Sequence, residues 1–145
     1  MIGLFTVVLA DDDEDEHSFF KEALNSVSTD INYLTFKDGK YLIDYLNAGM
    51  FVPDLIFLDI NMPLMNGLDT LKHLKVHDKF KFVPVIMYST SSHKNDIHKA
   101  YKQGADLYFK KEISIQKLAE KLESVVEIVK GNKTFAESHP EGTVY

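Results

Sequence analysis

Leu55–Gly67 reads LIFLDINMPLMNG. Four apolar residues run without alternation into an aspartate, and a loop carrying Pro63 and Gly67 follows. An unbroken apolar run this short describes a strand covered on both faces, and the Pro and Gly mark the loop that leads into a helix. Similar runs recur on both sides of it, so the spacing predicts strands over Phe5–Ala10, Ile31–Phe36, Asp54–Leu58, Pro84–Tyr88 and Asp106–Lys110. Helical periodicity fills the gaps at Asp15–Ser26, Gly39–Ala48, Gly67–His77, Lys94–Gln103 and Ser114–Val129. In the last of these Ile115, Leu118, Leu122, Val125, Val126 and Val129 form one apolar stripe behind a Ser114 N-cap. Gly49, Gly104 and Gly131 fall just past helical stretches, where a left-handed cap residue is expected. Strand and helix alternating five times is the pattern of βα units around a parallel sheet, an α/β fold.

At 145 residues the chain suits one domain, expected over 1–130. Residues 131–145 carry Gly, Pro and polar residues without periodicity and read as a mobile tail with no effector domain. The balance of 45% hydrophobic to 26% charged residues is that of a soluble globular protein. No apolar run reaches the roughly 20 residues that span a bilayer. The start, MIGLFTVVLADDD, lacks the basic region and cleavage site of a signal peptide, so the cytoplasm is expected. With no cysteine, thiolate metal sites, disulfides and thiol nucleophiles are excluded. A net charge of -6 argues against a direct grip on nucleic acid.

In an open parallel sheet, ligand sites form beyond the carboxyl ends of the strands. Asp11 and Asp12 follow the first predicted strand, Asp59 the third, Ser89 and Thr90 the fourth, while the fifth ends at Lys110 and Lys111. Three carboxylates meeting at one rim repel one another unless a hard cation binds them, and Mg²⁺ prefers such oxygen ligands. A carboxylate beside that cation is also a nucleophile toward phosphorus, and Asp59 is the candidate.

VVLADDD, LIFLDINMPLMNG, PVIMYSTS and GADLYFKKEI occur in this order, and together they make residues 5 to 129 resemble the receiver domain of two-component response regulators. The resemblance implies a doubly wound (βα)5 sheet, flavodoxin-like in its order 2-1-3-4-5, with helices on both faces. It implies Mg²⁺, with Mn²⁺ as a substitute, on Asp11, Asp12, Asp59 and the backbone carbonyl of Asn61. Asp59 becomes the phosphoacceptor, Ser89 the hydroxyl that bonds the phosphoryl group, Lys111 its cationic partner and Tyr108 an aromatic switch that turns inward as Ser89 moves. The donor implied is a sensor histidine kinase or a histidine phosphotransfer protein, and output passes through a protein target. A homodimer through the last strand and helices is a further implication. No separate substrate turnover is expected beyond the domain's own phosphorylation and dephosphorylation.

Two positions depart from the family pattern. Glu112 stands where proline usually follows the lysine, which argues against a cis bond there and sets up a competitor for the Lys111 ammonium. Thr90 stands where a smaller residue is usual and would narrow access for a phosphodonor. These departures motivate an alternative, a pseudo-receiver that keeps the fold as a non-switching interaction module. A phosphatase of the haloacid dehalogenase type would want Asp-x-Asp, but the chain has Asp59, Ile60 and Asn61. His73 and His77 share a helix face without a further ligand, and neither a nucleophile elbow nor a nucleotide-cradling glycine loop is present.

Overall fold

The computed structural model describes residues 4–49 and 51–145, so the first residues of the expected 1–130 domain lie outside what is described. Its elements are β1 (Phe5–Ala10), α1 (Glu14–Val27), β2 (Ile31–Phe36), α2 (Gly39–Ala48), β3 (Leu55–Leu58), α3 (Gly67–Val76), β4 (Val85–Ser89), α4 (Lys94–Lys102), β5 (Leu107–Lys110) and α5 (Ile115–Lys130), followed by a short 3₁₀ turn at Phe135–Glu137. The strands form one sheet in the order β2-β1-β3-β4-β5. All neighbours are parallel, with Val8 beside Leu34, Ala10 beside Leu58, Leu58 beside Met87 and Ser89 beside Lys110.

Side chains alternate across a strand, and both faces of this sheet are dry, which is why the strands read as continuous apolar runs. Val8, Ile56, Val85 and Met87 point to the face covered by α2, α3 and α4, where Leu42, Leu71, Leu74 and Ala100 meet them. Val7, Leu55, Phe57, Ile86 and Phe109 point to the other face and pack on Phe20 and Leu24 of α1 and on Leu118, Leu122 and Val125 of α5. The predicted α5 stripe is thus the lid of the second layer.

Boundaries shift by one or two residues for local reasons. Asp13 accepts a hydrogen bond from the Asp15 backbone at 2.9 Å, so α1 begins at Glu14 rather than Asp15. Asp38, Asn66 and Ser114 cap α2, α3 and α5 in the same way. β4 runs on to Ser89, which pairs with Lys110. Of the three glycines expected to be left-handed, only Gly104 is, with φ of 102°. Gly49 and Gly131 have φ of -96° and -82°, and after α5 the left-handed position falls to Asn132 instead, with φ of 54°.

Parts of residues 131–145, the segment expected to be a mobile tail, make contacts with the rest of the chain. Phe135 is buried in the α1/α5 layer. Tyr145 donates its N–H to the Tyr108 carbonyl at 2.8 Å and accepts from the Lys110 N–H at 2.9 Å. The segment has no periodicity to signal this, but it carries three apolar anchors, Phe135, Val144 and Tyr145.

Candidate functional site: an acidic rim closed by a lysine

β1 and β3 are adjacent and in register, so the residues after Ala10 and Leu58 emerge side by side. The Asp59 N–H donates to the Ala10 carbonyl at 2.9 Å, which fixes the two strand ends against each other. Carboxylate oxygens of Asp11, Asp12 and Asp59 lie within 4.8 Å of one another. Among the described residues this is the one group of histidine and acidic side chains near enough to share an ion. Asp11 is fully buried, Asp59 is 8% exposed and Asp12 faces solvent.

Lys111 enters from the end of β5. Its Nζ lies 2.7 Å from Asp11 Oδ2 and 3.7 Å from Asp59 Oδ1, so Asp11 is its closer partner. Burial alone would lower the lysine, but the hydrogen bond from its ammonium to Asp11 and the charge of Asp59 outweigh it and push it up. Asp59 is pushed up to about 7, first by burial and then by the Asp11 charge, against the opposing pull of Lys111. One ammonium therefore leaves the acids under-neutralised. An all-oxygen, anionic and partly dry donor set of this kind fits a hard divalent cation.

Below Lys111 lies the Tyr88 ring, 5.3 Å from Nζ, and the Tyr88 hydroxyl donates to Glu16 Oε2 at 3.1 Å. Burial and the Glu16 charge raise the Tyr88 phenol, which keeps it a neutral donor. Sequence reasoning missed both residues. A tyrosine in an apolar run signals core, and its approach to the lysine depends on a side-chain direction that the pattern does not encode.

Ser89 is buried at the end of β4, and its Oγ accepts from the Ser91 N–H at 3.1 Å. Tyr108 is fully buried, with its hydroxyl donating to the Ser91 carbonyl at 2.9 Å. Burial raises the Tyr108 phenol, with hydrogen bonds to Ser89 and Ser91 opposing. The ring is thus already inward. Ser91 in turn donates to Asp96 Oδ2 at 2.6 Å, tying this loop to α4.

The loop after Asp59 explains two more residues of the motif. The Gly67 N–H donates to the Ile60 carbonyl at 2.8 Å, and a Cβ on Gly67 would sit 2.1 Å from the Asp59 carbonyl oxygen, so only glycine fits. Leu64 adopts φ of 64°, and the Met65 N–H turns back to the Pro63 carbonyl at 2.7 Å, a tight turn that leaves Asn61 exposed beside the acids.

Of the two family departures, position 112 leaves Lys111 to the acids. Glu112 does not compete for Lys111; it pairs with Lys121 at 3.1 Å. The peptide before it is trans, and Thr90 points to solvent. His73 and His77 join no ligand cluster.

This rim, on a sheet of this order, defines an α/β domain with an acidic, cation-fitting site at its strand ends, and comparison with known proteins narrows it. A family model described as the response regulator receiver domain matches residues 7–123, and the chain belongs to that family. It is 32% identical over 120 residues to the chemotaxis protein CheY homolog of Campylobacter jejuni, covering 83% of this chain and 91% of the relative. It is 28% identical over 120 residues to the chemotaxis protein CheY of Pseudomonas aeruginosa, covering 81% of this chain and 95% of the relative. Among solved structures it resembles the phosphorylated cyanobacterial phytochrome response regulator RcpA with a TM-score of 0.81 and 26% identity, covering 90% of this chain and 97% of that one. The Mn²⁺-bound form of response regulator Rcp1 shares the fold at a TM-score of 0.73 and 24% identity, covering 83% of this chain and 90% of that one. The protein is thus a receiver domain of a response regulator, in keeping with two-component signalling. Among its described residues no helix is long and apolar enough to cross a membrane.

Proposed function

We infer that the protein is a cytoplasmic response regulator whose Asp59 accepts a phosphoryl group from the phosphohistidine of a sensor kinase or of a phosphotransfer protein. The observation that carries this reading is the gathering of Asp11, Asp12 and Asp59 within 4.8 Å with the Lys111 ammonium among them. Asp11, Asp12, Asp59 and the carbonyl of Asn61 would hold Mg²⁺, or Mn²⁺ in its place. The ion would offset the charge that builds on the transferring group. Asp59 then attacks phosphorus through a carboxylate oxygen, the P–N bond of the donor breaks, and its electron pair returns to the imidazole. Lys111 shifts from Asp11 toward the new phosphoryl oxygens, and the buried Ser89 hydroxyl donates to another.

Tyr108, seated behind Ser89 and bonded to Ser91, carries the change to α4 as the Ser91–Asp96 contact moves. Output follows as altered affinity for a protein target. The receiver unit spans residues 1–130, and 131–145 act as an appendage to it rather than an effector domain. A non-switching module gains no support from Glu112, which pairs with Lys121 rather than with Lys111.

Incubation with a small-molecule phosphodonor and Mg²⁺, followed by intact mass, tests the reading. One phosphoryl adduct is expected, abolished by Asp59→Ala and by chelation of the metal. An adduct that survives Asp59→Ala, or none on the wild type, rejects it.

A further inference from the structure

All five strands run in one direction, so the sheet has two unlike ends. The acidic rim takes the carboxyl end, where sites in open parallel sheets form. At the opposite end the chain leaves a cavity of about 630 Å³, within the range of small-molecule sites. It is lined by the residues that lead into the central strands: Phe5 opens β1, Pro53 and Asp54 precede β3, and Val83 and Pro84 precede β4. Val129, the last member of the α5 stripe, and Phe82, from the turn between α3 and β4, complete an apolar lining. The Phe82 side chain is left 87% exposed at this cavity, a flat ring with nothing of its own chain covering it.

The charge around this cavity is opposite in sign to that of the whole chain. Lys79, Lys130 and Lys133 border it, against the single carboxylate of Asp54. Among the described residues none of these three ammonium groups has an ion-pair partner. Lys79 donates once, to the Gly49 carbonyl at 3.0 Å, which leaves two of its three donors for a ligand. Lys130 lies 5.4 Å from the Phe5 ring centroid. Asp54 is held by the backbone, accepting from the Thr6 N–H at 2.7 Å. The negative end of α5 favours cations and accounts for Lys130 and Lys133, but Lys79 comes from a different part of the chain. The last carbonyls of α5 are also capped, since Gly131, Asn132 and Lys133 donate their N–H groups to Glu127, Val129 and Ile128.

We propose that the cavity at the amino end of β1, β3 and β4 is a binding site for a small aromatic anion, its ring held among Phe5, Phe82 and the two prolines and its charge met by Lys79, Lys130 and Lys133. Two features of the site choose this class. Flat apolar side chains offer a ring a stacking surface, and three cations around one carboxylate select a negative group over a neutral or positive one. Lysines present their charge as mobile points rather than as a planar fork, so the anionic group can be a phosphate, a sulfonate or a carboxylate. The site shares no residue with the acidic rim and does not depend on phosphorylation of Asp59.

Titration of the full-length protein with anilinonaphthalene sulfonate, an aromatic anion, tests the site by fluorescence and by backbone amide shifts. One saturable site per chain is expected, with the largest shifts at Val52, Lys79, Phe82 and Asn132, which border the cavity. Lys79→Met, Lys130→Met and Lys133→Met should each weaken binding about threefold, and the triple variant at least about tenfold. Lys72→Met, on α3 away from the cavity, should leave affinity unchanged. Phenylnaphthylamine, the same ring system without the charge, should bind about tenfold more weakly. The thermal midpoint should rise with added sulfonate, as for any ligand of the folded state. Equal affinity for the neutral probe, or unchanged affinity in the triple variant, overturns the anion site. Shifts that cluster elsewhere, or a midpoint that falls, overturn the location. If the triple variant does not fold, the three single variants decide.

Discussion

The α1/α5 layer and the acidic rim are both buried, yet they solve burial in opposite ways. In the layer, Phe20, Phe57, Tyr88 and Phe109 meet edge to face with apolar side chains filling the rest, so every buried atom has a partner suited to it. At the rim, Asp11 and Asp59 are buried with one ammonium between them and a like charge beside each. One region gains stability from what it excludes, and the other gives some up to hold charge where a divalent cation fits. Removing a side chain should therefore cost stability in the layer and return it at the rim.

The sharpest break of that comparison comes from Phe57→Ala beside Asp59→Asn. Phe57 is fully buried at the centre of the sheet, and its loss should lower unfolding free energy by about 3 to 5 kcal/mol, read by urea titration. Asp59→Asn, two residues on, should raise it at pH 8. In the metal-free protein the Asp59 carboxyl is pushed from 3.8 up to about 7. Between those values the folded chain holds a proton that the unfolded chain has released, so wild-type stability falls as pH rises through that window and levels off above it. The asparagine variant lacks this slope: its gain should be present at pH 8 and vanish near pH 4. A variant no more stable than wild type at pH 8 would show that the rim carries no such strain.

A divalent cation should close much of that gap. If Asp11, Asp12 and Asp59 bind it only in the folded state, Mg²⁺ at 100 times its dissociation constant should add about 2.7 kcal/mol to wild-type stability. Asp11→Asn should lose most of that increment while keeping its fold, and Phe57→Ala should retain it, measured as the shift in thermal midpoint on adding Mg²⁺. Equal shifts in all three proteins would mean that the ion acts elsewhere.

The same contrast explains what the sequence made legible. Strands and helices came within one or two residues because dry faces impose unbroken or periodic apolar runs, and the rim's acids and lysine were legible because strand ends in a parallel sheet open on one edge. Side-chain pairing was not. Nothing in the string says that Lys111 sits nearer Asp11 than Asp59, that Glu112 turns to Lys121, or that Tyr108 bonds Ser91, since each depends on rotamers and on distances between elements far apart in the chain. The left-handed turn after α5 fell to Asn132 rather than Gly131 because asparagine also tolerates that conformation. The docking of residues 134–145 escaped notice because three isolated anchors leave no period to detect.

The smallest effect is the most discriminating one. Lys111 lies closer to Asp11 than to Asp59, so its ammonium occupies the charge that a metal would use. Lys111→Met keeps most of the apolar stem and removes that competitor. Mg²⁺ should then bind about tenfold more tightly by calorimetry, the change carried by an interaction worth one pKa unit. Labelling of Asp59 by a phosphodonor at saturating Mg²⁺ should slow by at least as much, because the incoming phosphoryl charge loses its partner. Opposite movement of the two readouts is the signature of a lysine that trades one anion for another. A lysine that merely braces the rim would weaken metal binding and labelling together.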